Sequence, residues 1–156
     1  MRITIVAVGT RMPDWVDMGY QDYARRLPHP CRMELLEIPV AKRTKSADPS
    51  QLKKIEGDAI LRALPKHNRM IALDVKGQSR STRQLADSLK TWLGSGQDVA
   101  MVIGGPDGLD GQCLNRAEET WSLSALTLPH ALVRVVVAEQ LYRAWSILNN
   151  LPYHRA

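Results

Sequence analysis

The feature that most constrains this chain is an apolar run, Val99-Ala-Met-Val-Ile103, that ends abruptly in Gly104-Gly-Pro-Asp-Gly108. A short, continuously apolar run rich in β-branched residues reads as a strand covered on both faces, the kind found in parallel sheets. Glycines at its end tolerate positive φ and let another backbone or a ligand come close, so the strand delivers the edge of a pocket. Further on, Trp121-Ser-Leu-Ser-Ala-Leu-Thr-Leu-Pro-His130 sets small and hydroxyl residues between leucines, and Pro129 forbids a regular strand there. Exposed backbone groups beside apolar side chains suit a flat, mostly apolar ligand with a hydrogen-bonding rim, as an adenine ring is.

The rest of the chain reads as a frame for that corner. Residues 2–8 alternate and then turn wholly apolar, a central strand closed by Gly9. Residues 31–38 form a second strand ended by Pro39, residues 70–75 a third with Asp74 near its carboxyl end and Gly77 starting the turn, and residues 119–123 a fifth. The first helix is expected over 14–27, with Trp15, Val16, Gly19, Tyr20, Tyr23 and Leu27 inward and Pro28 and Pro30 stopping it. The second covers 49–64, with Leu52, Ile55, Ala59, Ile60 and Ala63 inward. Ser81-Thr-Arg-Gln84 fits a capping box, so a third helix starts there and runs to about Leu93, where Gly94-Ser-Gly96 ends it. A short helix over 109–117 and a long one over 131–149 complete the set. Strands alternating with helices imply right-handed crossovers: an α/β fold, mostly parallel sheet with helices on both faces, binding ligands beyond the strands' carboxyl ends.

Length and composition narrow the class. At 156 residues, 44% apolar and 24% charged, the chain is expected to form a single domain over 1–156. Its apolar stretches, such as 131–138, are broken by Arg134 and too short to span a bilayer, and Met1 opens on a strand pattern with no leader-like segment, so a cytoplasmic protein is expected. Cys31 and Cys113 lie far apart without CxxC or a histidine at metal spacing, which favours buried thiols over zinc or a disulfide framework. Lys and Arg number 21 against 16 Asp and Glu, a net charge of +5, and that balance favours an anionic partner such as nucleic acid. Lys42, Arg43 and Lys45 crowd the loop 41–48, either to meet phosphates or as a solvated connection. Neither GxGxxG after a strand nor a GxxxxGK[ST] loop is present, which argues against a conventional dinucleotide or ATP site.

Several segments acquire a meaning together. Ile103-Gly-Gly-Pro-Asp-Gly-Leu109, the Trp121 to His130 stretch, Leu132-Val-Arg-Val135, Ala138-Glu-Gln-Leu-Tyr-Arg-Ala-Trp145 and the tail Asn150-Leu-Pro-Tyr-His-Arg155 resemble the ribosomal RNA large subunit methyltransferase H family. Val6-Ala-Val-Gly-Thr10 and Met12-Pro-Asp-Trp15 extend the resemblance to nearly the whole length. That family belongs to the SPOUT class of S-adenosylmethionine methyltransferases. The resemblance implies a trefoil knot threaded from about Gly104 onward and a homodimer that sets one subunit's cofactor pocket against groups of the other. It implies S-adenosylmethionine contacts at Leu73, Gly104, Leu123, Ser124, Ala125, Leu126, Thr127 and Leu128, backbone groups holding adenine and leucines sandwiching it. It implies methyl transfer to N3 of a pseudouridine in large-subunit (23S) rRNA within the assembled ribosome, with no metal.

Such a transfer needs a base for the imide N3–H and a cation for charge spreading onto the neighbouring carbonyls. His154 is the candidate base, and Arg143 or Arg155 the candidate cation. Each has a plainer reading. Arg143 also suits a helix pair with Glu139, worth ~0.2–0.5 kcal/mol, and His154 suits a frayed terminus. Tyr142 and Tyr153 either stack on a base or pack internally. Val133, Val136, Val137, Leu141, Ala144, Trp145 and Leu148 form a stripe broad enough for core or for interface. Two other functions stand beside the enzyme: a non-catalytic ribosome-associated RNA-binding factor, and a SPOUT methyltransferase for another RNA base.

Overall fold

The structure is a computed structural model and describes residues 1–155. Five strands, β1 (Arg2–Val8), β2 (Arg32–Ile38), β3 (Arg69–Ser79), β4 (Val99–Ile103) and β5 (Glu119–Ser122), pair in the order β2-β1-β4-β3-β5. Every pairing is parallel. Five helices accompany them: α1 (Asp14–Ala24), α2 (Pro49–Ala63), α3 (Thr82–Ser95), α4 (Gly111–Arg116) and α5 (His130–Leu148). The expected α/β fold is therefore the one observed.

Strand alternation splits the core in two. Ile3, Ile5, Ala7, Met101 and Ile103 face α1, α3 and α5 and bury Leu89, Trp92, Val137 and Leu141. Val6, Val8, Met70, Ala100 and Val102 point the other way, towards Ile60 of α2 and Cys113 of α4. Both cysteines are free and buried, and burial pushes each thiol up to about 11, so neither is reactive near neutral pH. Among the described residues no helix is long and apolar enough to cross a membrane.

Four local expectations are corrected. Helix α1 ends at Ala24 instead of residue 27, and its Trp15 is 57% exposed, because α1 buries only a narrow stripe, Val16 and Tyr20, while Gly19 packs on Val135 of α5. Ile55 is likewise 56% exposed; Leu52 and Ile60 of α2 face inward as expected, and Glu56 is buried with them. Strand β3 does not turn at Gly77 but continues to Ser79 through an irregularity between Leu73 and Gln78. Gly77 is required there by a close approach, since a Cβ would stand 2.7 Å from the Thr120 and Trp121 backbone. Helix α3 runs through Gly94 and stops at Gly96, whose φ of 68° closes it. Smaller shifts affect α4, β5 and the ends of α5, where hydrogen bonding frays.

The capping box forms as read. Ser81 Oγ accepts the Gln84 amide at 3.2 Å and Gln84 Oε1 accepts the Ser81 amide at 2.9 Å. Ser81→Ala is expected to lower stability by about 1 kcal/mol, measured by urea unfolding; an unchanged midpoint would show that the box adds nothing in solution.

Candidate active site

Strands β3 and β4 end side by side, with Leu73 and Ile103 in register, and beyond them opens a cavity of about 800 Å³. One wall is the glycine turn. Gly108, at φ 84°, donates its amide to the Gly105 carbonyl at 3.0 Å, and the chain folds back so tightly that a Cβ on Gly104 would stand 2.7 Å from Gly108. The facing wall is the loop after β5, which holds its own shape: Ser122 Oγ donates to the Ser124 carbonyl at 3.0 Å, and the Leu126 amide donates to Ser124 Oγ at 2.9 Å.

The structure brings these two segments to one cavity. Leu73, Gly104, Leu123, Ser124, Leu126, Thr127 and Leu128 all line it; Ala125 belongs to the same loop without forming the wall. Leu126 is 74% exposed, an apolar side chain at the mouth with little protein around it. Lys53, Asp74, Lys76, Asp107 and His130 supply the charged and titratable lining. Lys53 reaches the cavity from α2, and no local pattern marked it; only the tertiary fold does. Burial, and after it the neighbouring Arg134, lowers the pKa of His130, which keeps it neutral at pH 7.

Two buried charges support the walls. Arg134, read in sequence only as a break in an apolar stretch, is wholly buried; it donates to Glu37 Oε2 at 2.7 Å and to the Gly9 carbonyl at 3.2 Å. It thereby fastens the start of α5, directly after the cavity loop, to the carboxyl ends of β1 and β2. Glu56 is buried on α2, accepts the Ala41 amide at 3.0 Å and presses against Gly105. Arg43 of the basic loop pairs with Asp107 of the glycine turn, so that loop is anchored beside the cavity while Lys42 and Lys45 stay exposed.

The tail builds a second cluster. Arg143 donates to Glu139 Oε1 through Nε at 2.9 Å and Nη2 at 2.6 Å, and the Tyr153 hydroxyl donates to the same oxygen at 3.0 Å. Gln140 Nε2 donates to Glu139 Oε2 at 2.8 Å, and His154 Nδ1 lies 3.4 Å from Arg143 Nη1. The Arg143 guanidinium sits 4.8 Å from the Tyr153 ring centroid, and Tyr142 meets Tyr153 edge-on. His154 is thus docked rather than frayed, whereas Arg155 is exposed. The helix pair with Glu139 is also real, and its hydrogen bonds raise the pKa of Arg143 and hold it cationic. Glu139, passed over as a mere pairing partner, is the acceptor that organises the group. Within one chain the cluster is remote from the cavity: Arg143 lies about 15 Å along α5 from Val133 of the cavity wall, at ~1.5 Å per residue. Among the described residues no group of three or more His, Cys, Asp or Glu is placed to hold a metal ion.

Comparison with known proteins places this geometry. A family profile described as "Predicted SPOUT methyltransferase" matches residues 1–154. Relatives named Ribosomal RNA large subunit methyltransferase H are 54% identical in Hahella chejuensis and 55% identical in Hydrogenovibrio crunogenus, each over 155 residues covering 99% of both chains. The chain belongs to this SPOUT methyltransferase family. The SPOUT fold is seen again in a probable methylase family protein from Haemophilus influenzae, with a TM-score of 0.56 at 15% identity over 99% of this chain and 70% of that one. A putative methylase family protein from Neisseria gonorrhoeae gives 0.51 at 14% identity, over 91% and 81%.

For this SPOUT chain the buried arginine is the structural anchor of the cavity loop. Arg134→Met is expected to cost about 1–3 kcal/mol, because the charge-assisted hydrogen bonds to Glu37 and to the Gly9 carbonyl are lost. Urea unfolding measures the loss, and equal stability of Arg134→Met and wild type would contradict the anchoring role.

Proposed function

We propose that the chain is an S-adenosylmethionine-dependent methyltransferase acting on N3 of a pseudouridine in large-subunit (23S) rRNA, on the assembled ribosome. The observation that carries this reading is the shared cavity between the glycine turn and the Leu123–Leu128 loop. Its size is that of a small-molecule site, and the lining fits the cofactor. Leu73, Leu123, Leu126 and Leu128 offer apolar faces for adenine, and the backbone of Gly104, Ser124 and Thr127 is assigned to its rim, with Ala125 in the same loop holding no wall position. Lys53, Lys76, Asp74 and Asp107 provide both signs of charge for an amino-acid end. When bound, S-adenosylmethionine supplies an electrophilic methyl group, whose carbon–sulfur bond breaks with the electron pair returning to sulfur.

The chain's own residues must then manage a proton and a charge. His154 takes the N3 proton, and Arg143 with Arg155 stabilises the negative charge on the ring carbonyls. Since these groups stand about 15 Å along α5 from the cavity wall, the reading includes a homodimer in which one subunit's tail completes its partner's site. Support comes from apolar surface on α1 and α5: Trp15 is 57% and Met18 70% exposed, on the helix that packs against α5, where Leu132 and Val135 are half-buried. The trefoil threading from about Gly104 onward belongs to the same proposal. Lys42 and Lys45 are assigned to rRNA phosphates, with the whole 1–156 chain as one catalytic domain working in the cytoplasm, where its substrate is. The names of the relatives support rRNA as substrate.

Ribosomes lacking the modification, incubated with the protein and S-adenosylmethionine, should yield N3-methylpseudouridine by nucleoside mass spectrometry. Methyl on another base would replace this reading with a sibling specificity, and calorimetry showing no cofactor binding would leave an RNA-binding factor. Gly104→Val should abolish cofactor binding, because its side chain has nowhere to go. His154→Ala should leave the cofactor affinity intact and slow transfer by about a hundredfold or more; an undiminished rate removes His154 as the base.

A further inference from the structure

We propose that a second, smaller cavity beside the first receives the pyrimidine ring that is methylated; this rests on the methyltransferase reading above. The cavity holds about 300 Å³ between the N-terminal end of α3, the middle of α5 and the end of β5. Leu123 belongs to the walls of both cavities, so the two adjoin at that residue.

The lining matches what a uracil-like ring demands, two apolar faces and a polar rim. Leu85, Met101, Val136, Val137 and Leu141 make the apolar part. Thr82 and Gln140 make the polar edge, and they are already oriented: the Thr82 hydroxyl donates to Gln140 Oε1 at 2.7 Å, and Gln140 Nε2 donates to Glu139 Oε2 at 2.8 Å. A carboxamide carries two N–H donors, so the second remains for a ring carbonyl. The same chain of hydrogen bonds continues through Glu139 to Arg143 and Tyr153. The second cavity therefore adjoins the cofactor cavity at Leu123, and Gln140, held by Glu139, fixes its polar edge.

Its electrostatics favour a ring that loses a proton. Arg80 lines the cavity, 5.4 Å from the Trp121 ring centroid, with one arm on Glu119 at 3.0 Å. The positive end of α3 adds to it. Arg80 Nε and Trp121 Nε1 are buried donors with no partner, a costly condition that an acceptor on a bound ring would relieve. Gln140 and Thr82 are positioning residues for the ring, and Arg80 steadies its charge.

Three variants test this on the full-length protein with ribosomes as substrate. Val136→Phe fills the cavity; Thr82→Val and Gln140→Leu erase the polar edge at nearly constant size. Val136→Phe should lose transfer by about a hundredfold or more while calorimetric affinity for S-adenosylmethionine stays within about twofold and light scattering shows an unaltered oligomer. Thr82→Val and Gln140→Leu should lower kcat by about five- to a hundredfold with ribosome cosedimentation unchanged, and Thr82→Ser should restore most of the rate lost in Thr82→Val. If the wild type is active and all three variants match it, the cavity is only structural and this inference alone falls. Loss of cofactor affinity in step with transfer would assign the cavity to the cofactor and overturn it as well. A wild type that transfers no methyl to any ribosome overturns the methyltransferase reading and takes this inference with it.

Discussion

Strand β4 is hydrogen-bonded on both sides, to β1 and to β3, and all five of its residues are buried. Water cannot satisfy its backbone, so the two parallel ladders must. That constraint fixes where Ile103 ends and where the glycine turn begins. A turn hung on a free edge could drift; this one is held between two neighbours, and its depth is set by the close approach of Gly104 to Gly108. The second wall of the cavity depends on the same sheet. Strand β5 pairs only with β3, and the loop it launches is returned to the sheet by Arg134, whose guanidinium spans α5, β1 and β2.

What the sequence made legible follows from how local each signal is. Runs bounded by glycine or proline located β1, β2 and β4 to within a residue or so, and Ser81 with Gln84 announced a helix start because both partners of the box lie within one turn. Gly104 and the leucine–serine segment could be marked as pocket-forming from backbone chemistry alone. Helix faces were less secure. Trp15 and Ile55 fall at helical spacing, yet periodicity shows which residues share a face, not how wide a neighbour covers it. Gly77 misled for a related reason: the same residue serves a turn or a backbone crossing, and only the position of Thr120 decides. Arg134, Glu56 and Lys53 were silent in sequence because their partners are far along the chain and no short pattern encodes them.

The tail shows how one carboxylate turns scattered residues into a unit. Glu139 receives donors from Arg143, Tyr153 and Gln140, which holds the terminal His154 against the helix although it lies beyond regular structure. Through Gln140 and Thr82 this arrangement reaches the start of α3. The start of α3, the middle of α5 and the tail are thus linked by contiguous hydrogen bonds. A single helix, α5, sets the distances among them.

The basic surface and the cavity also share parts. Arg43 reaches from the cationic loop to Asp107 in the glycine turn, and Glu56 braces both Ala41 and Gly105. Under the proposed function, the charge meets the large anionic substrate while the sheet shapes the site of the small one. The most direct measurement is amide hydrogen exchange with and without S-adenosylhomocysteine. Slowed exchange concentrated at Gly104–Gly108 and at residues 123–128 is the predicted result; protection confined to other segments, with these two unaffected, would contradict a single adenosyl cleft between them.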